Sequence, residues 1–91
     1  GAAMDMRRLV GRNVRRLRLE MGLTQEAFAE KTGFSQRYLS GIERGVRNPT
    51  IVTIFELATA LGVSHVRLVE PDGESDEAAK PLRHGGRRKA G

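Results

Sequence analysis

Residues 24–45, TQEAFAEKTGFSQRYLSGIERG, decide the fold of this chain of 91 residues. Thr24 and Ser35 each precede a segment whose apolar residues follow helical spacing, and a hydroxyl side chain there caps the free N–H groups of a helix. Gly33 lies between the two segments and supplies the left-handed backbone position that a sharp turn needs. Ala29 is small enough to let two helix backbones cross closely. The stretch therefore predicts two short helices that cross steeply through a tight turn.

The segments on either side predict three further helices. An apolar stripe at helical spacing predicts a first helix that ends at Gly22, and it comprises Met6, Leu9, Val10, Val14, Leu17 and Met21. Thr50 and Ser64 are the expected caps of a fourth helix and of a fifth helix at His65–Val69. The apolar positions of the fourth helix are Ile51, Ile54, Phe55, Ala58 and Leu61. Because no segment alternates apolar and polar residues as a strand does, we predict an all-α fold, a compact five-helix bundle.

Composition divides the chain into a folded part at residues 5–70 and two flanks. In residues 71–91, Leu82 is the one aliphatic side chain larger than alanine and proline, apart from the Lys and Arg stems. This segment buries too little apolar surface to offset its ordering entropy, so we expect a disordered charged tail. It is either an inert extension, a non-specific DNA contact or a protein-binding segment. Residues 1–4, Gly-Ala-Ala-Met, are expected to be an expression scar.

The charge balance favours nucleic acid as the partner, and the composition argues against a membrane protein, an enzyme and a metal-binding protein. The chain has 16 Lys and Arg against 11 Asp and Glu, a formal charge of +5 at pH 7, and no cysteine. No apolar run approaches the roughly 20 residues of a membrane span. With no secretory signal either, we expect a cytoplasmic protein. His65 and His84 lack partners at metal-ligand spacing, and no His–acid arrangement accompanies a serine, so we expect neither an enzyme nor a metal or cofactor.

Several motifs together resemble the Cro/phage-repressor, or XRE-type, helix-turn-helix family. They are Thr-Gln-Glu-Ala-Phe-Ala at 24–29, Gly33, Tyr-Leu-Ser-Gly-Ile-Glu-Arg-Gly at 38–45 and Arg-Asn-Pro-Thr at 47–50. Residues 37–44 especially resemble the controller proteins of restriction-modification systems. The resemblance covers about residues 9–68 and implies a lambda-repressor-like DNA-binding domain at residues 5–70. In such a domain the helix Gln36–Arg44 enters the major groove, which implies a sequence-specific transcriptional regulator of double-stranded DNA.

The outer face of that helix holds the candidate base contacts. Arg37 is the first choice, because arginine donates two hydrogen bonds to guanine O6 and N7. Gln36 either pairs with adenine N6 and N7 or bonds a phosphate. Ser40 and Gly41 share this face, and a glycine in the middle of a helix is disfavoured by propensity. Gly41 is explained either by close approach to DNA or by tight packing against a neighbouring helix.

Other positions predict contacts with the DNA backbone or within the protein. The candidate phosphate contacts are Gln25, Ser35, Tyr38, Arg44, Arg47 and Asn48. Tyr38 is otherwise partly a core residue, and the arginines of the first helix either reach the DNA backbone or form a solvated face. A bare carboxylate at Glu43 would repel phosphates. In related repressors the matching positions pair the first and third helices, so the resemblance implies an Arg18–Glu43 ion pair that also aims the helix.

A single reading helix contacts few base pairs, so the chain needs a partner copy. Proteins with this motif usually dimerise on two half-sites about one DNA turn apart. We expect an isologous homodimer near the fifth helix, through Val63, Val66 and Val69, and a pseudo-palindromic operator. One alternative is an antitoxin-like DNA-binding module that also binds a partner protein, and another is a helical RNA-binding domain. We expect no sensing domain in this chain and therefore no small-molecule ligand.

Overall fold

The computed structural model describes residues 5–74, which form five helices and no strand. The helices are α1 (Met6–Glu20), α2 (Gln25–Thr32), α3 (Gln36–Glu43), α4 (Ile51–Leu61) and α5 (Val66–Val69). The predicted all-α fold with five helices is therefore confirmed. The expected expression scar at residues 1–4 lies outside the described residues, and so does the part of the expected tail at residues 75–91.

Side-chain caps begin the helices where the sequence predicts them, with one difference at α5. The hydroxyl oxygens of Thr24, Ser35 and Thr50 each accept a hydrogen bond of 3.0 Å from the backbone N–H three residues later. α5 begins at Val66 instead of residue 65, and Ser64 Oγ accepts a bond of 3.2 Å from Val66 N. The residue between them already has helical dihedral angles, φ −58° and ψ −23°, so the difference concerns one boundary residue.

The core joins one stripe of α1 to the inner faces of the other helices. Its buried members are Val10, Val14, Leu17, Phe28, Leu39, Ile42, Leu57, Ala58, Leu61 and Leu68. Four residues of the predicted apolar stripes are instead exposed. Met6 and Met21 stand at the two ends of α1, beyond the elements packed against it. Ile51 and Phe55 lie on α4 with 84% and 58% of their surface exposed, so these two apolar positions of the fourth helix do not face the core.

Polar contacts attach α5 and the residues that follow it to α1. Asn13 is fully buried, and its Nδ2 donates to the carbonyl oxygens of Leu68 at 2.9 Å and Glu70 at 3.1 Å. Arg12 Nε donates to Asp72 Oδ2 at 2.7 Å. The first residues of the segment expected to be a disordered tail therefore contact α1.

Candidate nucleic-acid interface

The tight turn between α2 and α3 is built as its residue types require. Gly33 has φ 83°, in the left-handed region, and its N–H donates to the carbonyl oxygen of Ala29 at 2.8 Å. Phe28 on α2 and Leu39 and Ile42 on α3 are buried in the common core. These anchors fix the inner face of α3 and leave its opposite face turned away from the core.

The outer face of α3 carries most of the predicted base contacts. Gln36 and Arg37 are exposed in the first turn, and Ser40 is half-buried one turn later. Ser35, a predicted phosphate contact, lies exposed immediately before the helix, and its hydroxyl oxygen is the N-cap. The predicted reading residues therefore lie together at the N-terminal half of a short, rigidly anchored helix, a geometry that suits insertion into a groove.

Gly41 requires a correction, because it is buried although it belongs to the outer face. A Cβ added at Gly41 would lie 2.7 Å from Cγ and 3.1 Å from Nε of Arg47. The neighbour that approaches Gly41 is therefore the side chain of Arg47, and not another helix. This side chain leaves no open surface at Gly41 for direct contact with DNA. The sequence offered two explanations for this glycine, close approach to DNA and packing against a neighbouring helix. The structure supports a third: the absence of a side chain at Gly41 leaves room for the side chain of Arg47, and we call this position the seat of Arg47.

Arg47, predicted as a phosphate contact, follows α3 and folds back over it. Its Cζ lies 5.7 Å from the centroid of the Tyr38 ring, within cation–π range. The ring of Tyr38 lies 5.2 Å from that of Phe34 at an interplanar angle of 52°. Tyr38 and Phe34 are half-buried and pack against the core. The predicted Tyr38 and Arg47 are thus in contact with each other on the surface of α3.

A buried ion pair joins α1 to α3. Arg18 Nε and Nη2 donate to the two carboxylate oxygens of Glu43 at 2.6 Å and 3.0 Å, and Nη1 donates to the carbonyl oxygen of Leu23 at 2.7 Å. The side chains of Arg18 and Glu43 are 8% and 4% exposed. The structure thus brings together the two residues for which the resemblance implies a pair. Because Glu43 is paired and covered, its charge is not presented to a DNA phosphate.

Gln25 takes part in the same network. Its Nε2 donates to Glu43 Oε1 at 3.1 Å, so the side chain predicted to contact a phosphate also connects α2 to α3. This bond was not expected from the sequence, because the two residues are separated by 18 positions. The three N-terminal helices therefore converge on one carboxylate.

Gly11 is a positioning feature that the sequence reasoning missed. A Cβ added there would overlap the carbonyl oxygen of Ile42 and lie 2.8 Å from that of Glu43. The backbones of α1 and α3 approach so closely at this point that only glycine fits. A glycine in the middle of the helical segment was the available signal, since it is disfavoured there unless packing requires it.

A second exposed surface lies between α4 and α5. An open apolar groove of about 480 Å³ is lined by Ile51, Val52, Ile54, Phe55, His65 and Val69. Of the predicted dimer residues, Val66 is exposed, while Val63 and Val69 are half-buried and pack against the core. Val69 lines the groove. Sequence reasoning missed Ile51 and Phe55 here, because a helix stripe that faces a core and one that faces a partner have the same spacing.

The remaining predicted phosphate contacts, Arg44 and Asn48, are exposed at and after the C-terminal end of α3. None of the helices in residues 5–74 has the length and apolar character needed to span a membrane. Within the same residues, no three His, Cys, Asp or Glu side chains come together as metal ligands.

Comparison with known proteins places this arrangement in a family. A protein-family profile described as helix-turn-helix matches residues 14–68, more than half of the chain. The chain belongs to the XRE-type helix-turn-helix family. The family resemblance predicted from residues 24–50 is thereby confirmed.

Individual relatives carry names from gene regulation. The chain is 64% identical to y4dJ of Sinorhizobium fredii, named as an uncharacterized HTH-type transcriptional regulator, over 72 residues, which are 79% of this chain and 94% of that protein. It is 36% identical to control protein C.SmaI of Serratia marcescens, over 81% of this chain and 88% of the relative. The structure is similar, with a TM-score of 0.64 and 38% identity, to the restriction-modification controller protein C.Esp1396I, solved as a tetramer with its 35 base-pair operator. That match covers 69% of this chain and 83% of the other.

Proposed function

We propose that the protein is a sequence-specific transcriptional regulator of double-stranded DNA that acts as a homodimer on a pseudo-palindromic operator. One observation carries the proposal: α3 presents Arg37 and Gln36 on an exposed N-terminal face while its other face is locked into the core. Because its inner face is anchored, the helix has few ways to move, so the backbone positions that carry these polar side chains are fixed relative to the core. The operator complex of C.Esp1396I and the names of the other relatives support the same function for this chain.

In this proposal Arg37 donates to a guanine, and Gln36 and Ser40 contact neighbouring base edges in the major groove. The DNA backbone is held on either side of α3. Ser35 and the N-terminal amides of α2, where Gln25 lies, contact phosphates on one side. Arg44 and Asn48 contact phosphates on the other.

The homodimer is proposed to form through the groove between α4 and α5. Ile51, Val52, Phe55 and Val66 are all more than half exposed, which makes an apolar patch of the kind that marks an interaction site. An isologous contact there requires only that one patch matches itself across a two-fold axis. Of the three valines predicted from the sequence, Val66 and Val69 belong to the proposed interface and Val63 lies at its edge. Ile51 and Phe55 of α4 are further members of the proposed interface. The cytoplasmic location remains a prediction.

Selection of binding sites from a pool of randomised DNA duplexes tests the proposal. The wild type is compared with Arg37→Ala at near-physiological salt, and Arg67→Ala, which removes the same charge from α5, is the matched control. We expect an inverted repeat with half-sites about one helical turn apart. Arg37→Ala should blur one guanine in each half-site, while Arg67→Ala leaves the motif unchanged. Weak, steeply salt-dependent binding with no motif would contradict the proposal, because it would indicate a general polyanion surface.

A further inference from the structure

The outer face of α3 is occupied by a side chain that belongs to the following loop. Residues 37, 41 and 44 share this face, because positions three and four apart are neighbours on a helix. Gly41, at the centre, contributes no side chain, yet it is buried because the stem of Arg47 crosses it. The guanidinium Nε would lie 3.1 Å from a Cβ at Gly41. Arg47 therefore fills the space that a side chain at position 41 would otherwise take.

A second set of contacts orients the guanidinium of Arg47. It lies over the ring of Tyr38, and that ring is supported by Phe34, which packs against the core. The backbone N–H of Arg47 also donates to the carbonyl oxygen of Gly41 at 3.3 Å. Tyr38 lies three residues before Gly41 on the helix. The contacts therefore direct the guanidinium back along α3, toward the half of the helix that carries Arg37.

We infer that Arg47 is a specificity-determining residue that reads a base edge, seated on Gly41 and oriented by Tyr38. The inference rests on the proposed function, in which α3 enters the major groove. It assigns Arg47 and Tyr38 roles other than the phosphate contacts predicted from the sequence. Because both the stem and the guanidinium of Arg47 are already positioned, it loses less conformational entropy than a freely rotating arginine when it donates two hydrogen bonds to a guanine.

Sequence-dependent affinity separates base reading from phosphate contact. An operator is first selected with the wild type, and fluorescence anisotropy then gives dissociation constants for that duplex and for duplexes with single substituted base pairs, at several salt concentrations. We expect Arg47→Ala to lose about 10- to 100-fold of discrimination at one base pair in each half-site. That base pair should differ from the one affected by Arg37→Ala. A uniform loss of affinity for all duplexes, with the salt slope reduced by about one, would overturn the inference.

Variants of the seat and of the ring test the same inference without removing Arg47. In Gly41→Ala the new Cβ meets a flexible side chain, so we expect a melting temperature at or above that of the wild type. Discrimination should nevertheless be lost at the base pair that Arg47→Ala affects, and the double variant should be no weaker than Arg47→Ala alone. Tyr38→Leu should lose the same discrimination and Tyr38→Phe should keep it. Full discrimination in both Gly41→Ala and Tyr38→Leu would overturn the inference.

Arg47→Lys distinguishes the two roles by chemistry. A lysine retains the point charge that a phosphate needs but lacks the planar fork that pairs with guanine. We therefore expect Arg47→Lys to lose discrimination as Arg47→Ala does. Wild-type discrimination in Arg47→Lys would overturn the inference and leave the proposed function intact. Failure of the wild type to select any motif would overturn the proposed function together with this inference, so the two failures are distinguishable.

Discussion

The junction of α1 with α3 and the outer face of α4 and α5 differ in whether contacts within the chain cover their side chains. At the junction, Arg18 and Glu43 share a buried ion pair, and Gly11 lets two backbones touch. On α4, Ile51 and Phe55 expose more than half of their apolar surface. The first region holds the proposed reading helix with contacts from within the chain. The second region has apolar surface that a partner would cover.

The largest effect is expected where the junction loses one side of its ion pair. Arg18→Ala leaves the buried carboxylate of Glu43 without its cation, which typically costs about 3–5 kcal/mol of unfolding free energy. Arg12→Ala, which breaks the pair with Asp72, is the matched control and should cost less, because the Arg12 side chain is 28% exposed against 8% for Arg18. Thermal or urea unfolding of both variants measures the difference. Equal melting temperatures would show that the buried pair does not hold α1 and α3 together.

A pair of glycine substitutions separates backbone contact from side-chain contact. Gly11→Ala forces a Cβ against two carbonyl oxygens of α3, so we expect it to cost about 1–3 kcal/mol of stability despite the better helix propensity of alanine. Gly41→Ala, whose Cβ meets the Arg47 side chain, is the control and should be neutral or stabilising. Unfolding curves of the two variants make the comparison. If Gly11→Ala were as stable as Gly41→Ala, α1 and α3 would have to separate easily.

A comparison of the helix starts with Gly11 shows how much of the structure the sequence predicts. Helix starts depend on local contacts, such as the hydroxyl of Ser35 and the N–H of Tyr38, and both lie in one short segment. That is why the helices and the turn could be predicted closely. The close approach at Gly11 depends on residues more than 30 positions away in the chain, and no periodicity in the sequence records it.

Part of the candidate site escaped prediction for a related reason. Arg37 could be named as a candidate base contact because it lies on α3 itself, where helical spacing predicts which face it occupies. Arg47 lies in a loop, so only the folded chain shows that it returns across Gly41. From the sequence, Phe55 is only one apolar position of the fourth helix, because apolar spacing indicates a buried face without indicating whether the burial is within the chain or against a partner.

For the exposed apolar surface of α4 and α5, we expect a substitution that weakens homodimerisation while the fold is retained. Phe55→Asp puts a charge in the groove between α4 and α5, and we expect it to weaken homodimerisation roughly 30-fold or more. Val46→Asp changes an equally exposed valine outside the groove and is the control. Sedimentation over a range of protein concentrations measures the monomer–dimer equilibrium, and circular dichroism checks the helices. A wild type that remains monomeric at all concentrations, with and without operator, would exclude the proposed interface.

The smallest effect concerns the Arg12–Asp72 pair, the less buried counterpart of Arg18–Glu43. The Arg12 guanidinium, which donates to the Asp72 carboxylate, lowers the pKa of Asp72 below its ordinary value, although desolvation opposes this. Because the folded pKa is below the unfolded one, the pair stabilises the fold above the unfolded pKa and loses this contribution as pH falls through the folded pKa. We expect Asp72→Asn to lower the melting temperature slightly at neutral pH, with a difference that narrows below about pH 4. A difference that stayed constant into that acidic range would contradict the prediction. It would mean that the side chain of residue 72 holds its segment against α1 by hydrogen bonds that do not depend on its charge, unlike the buried ion pair at the α1–α3 junction.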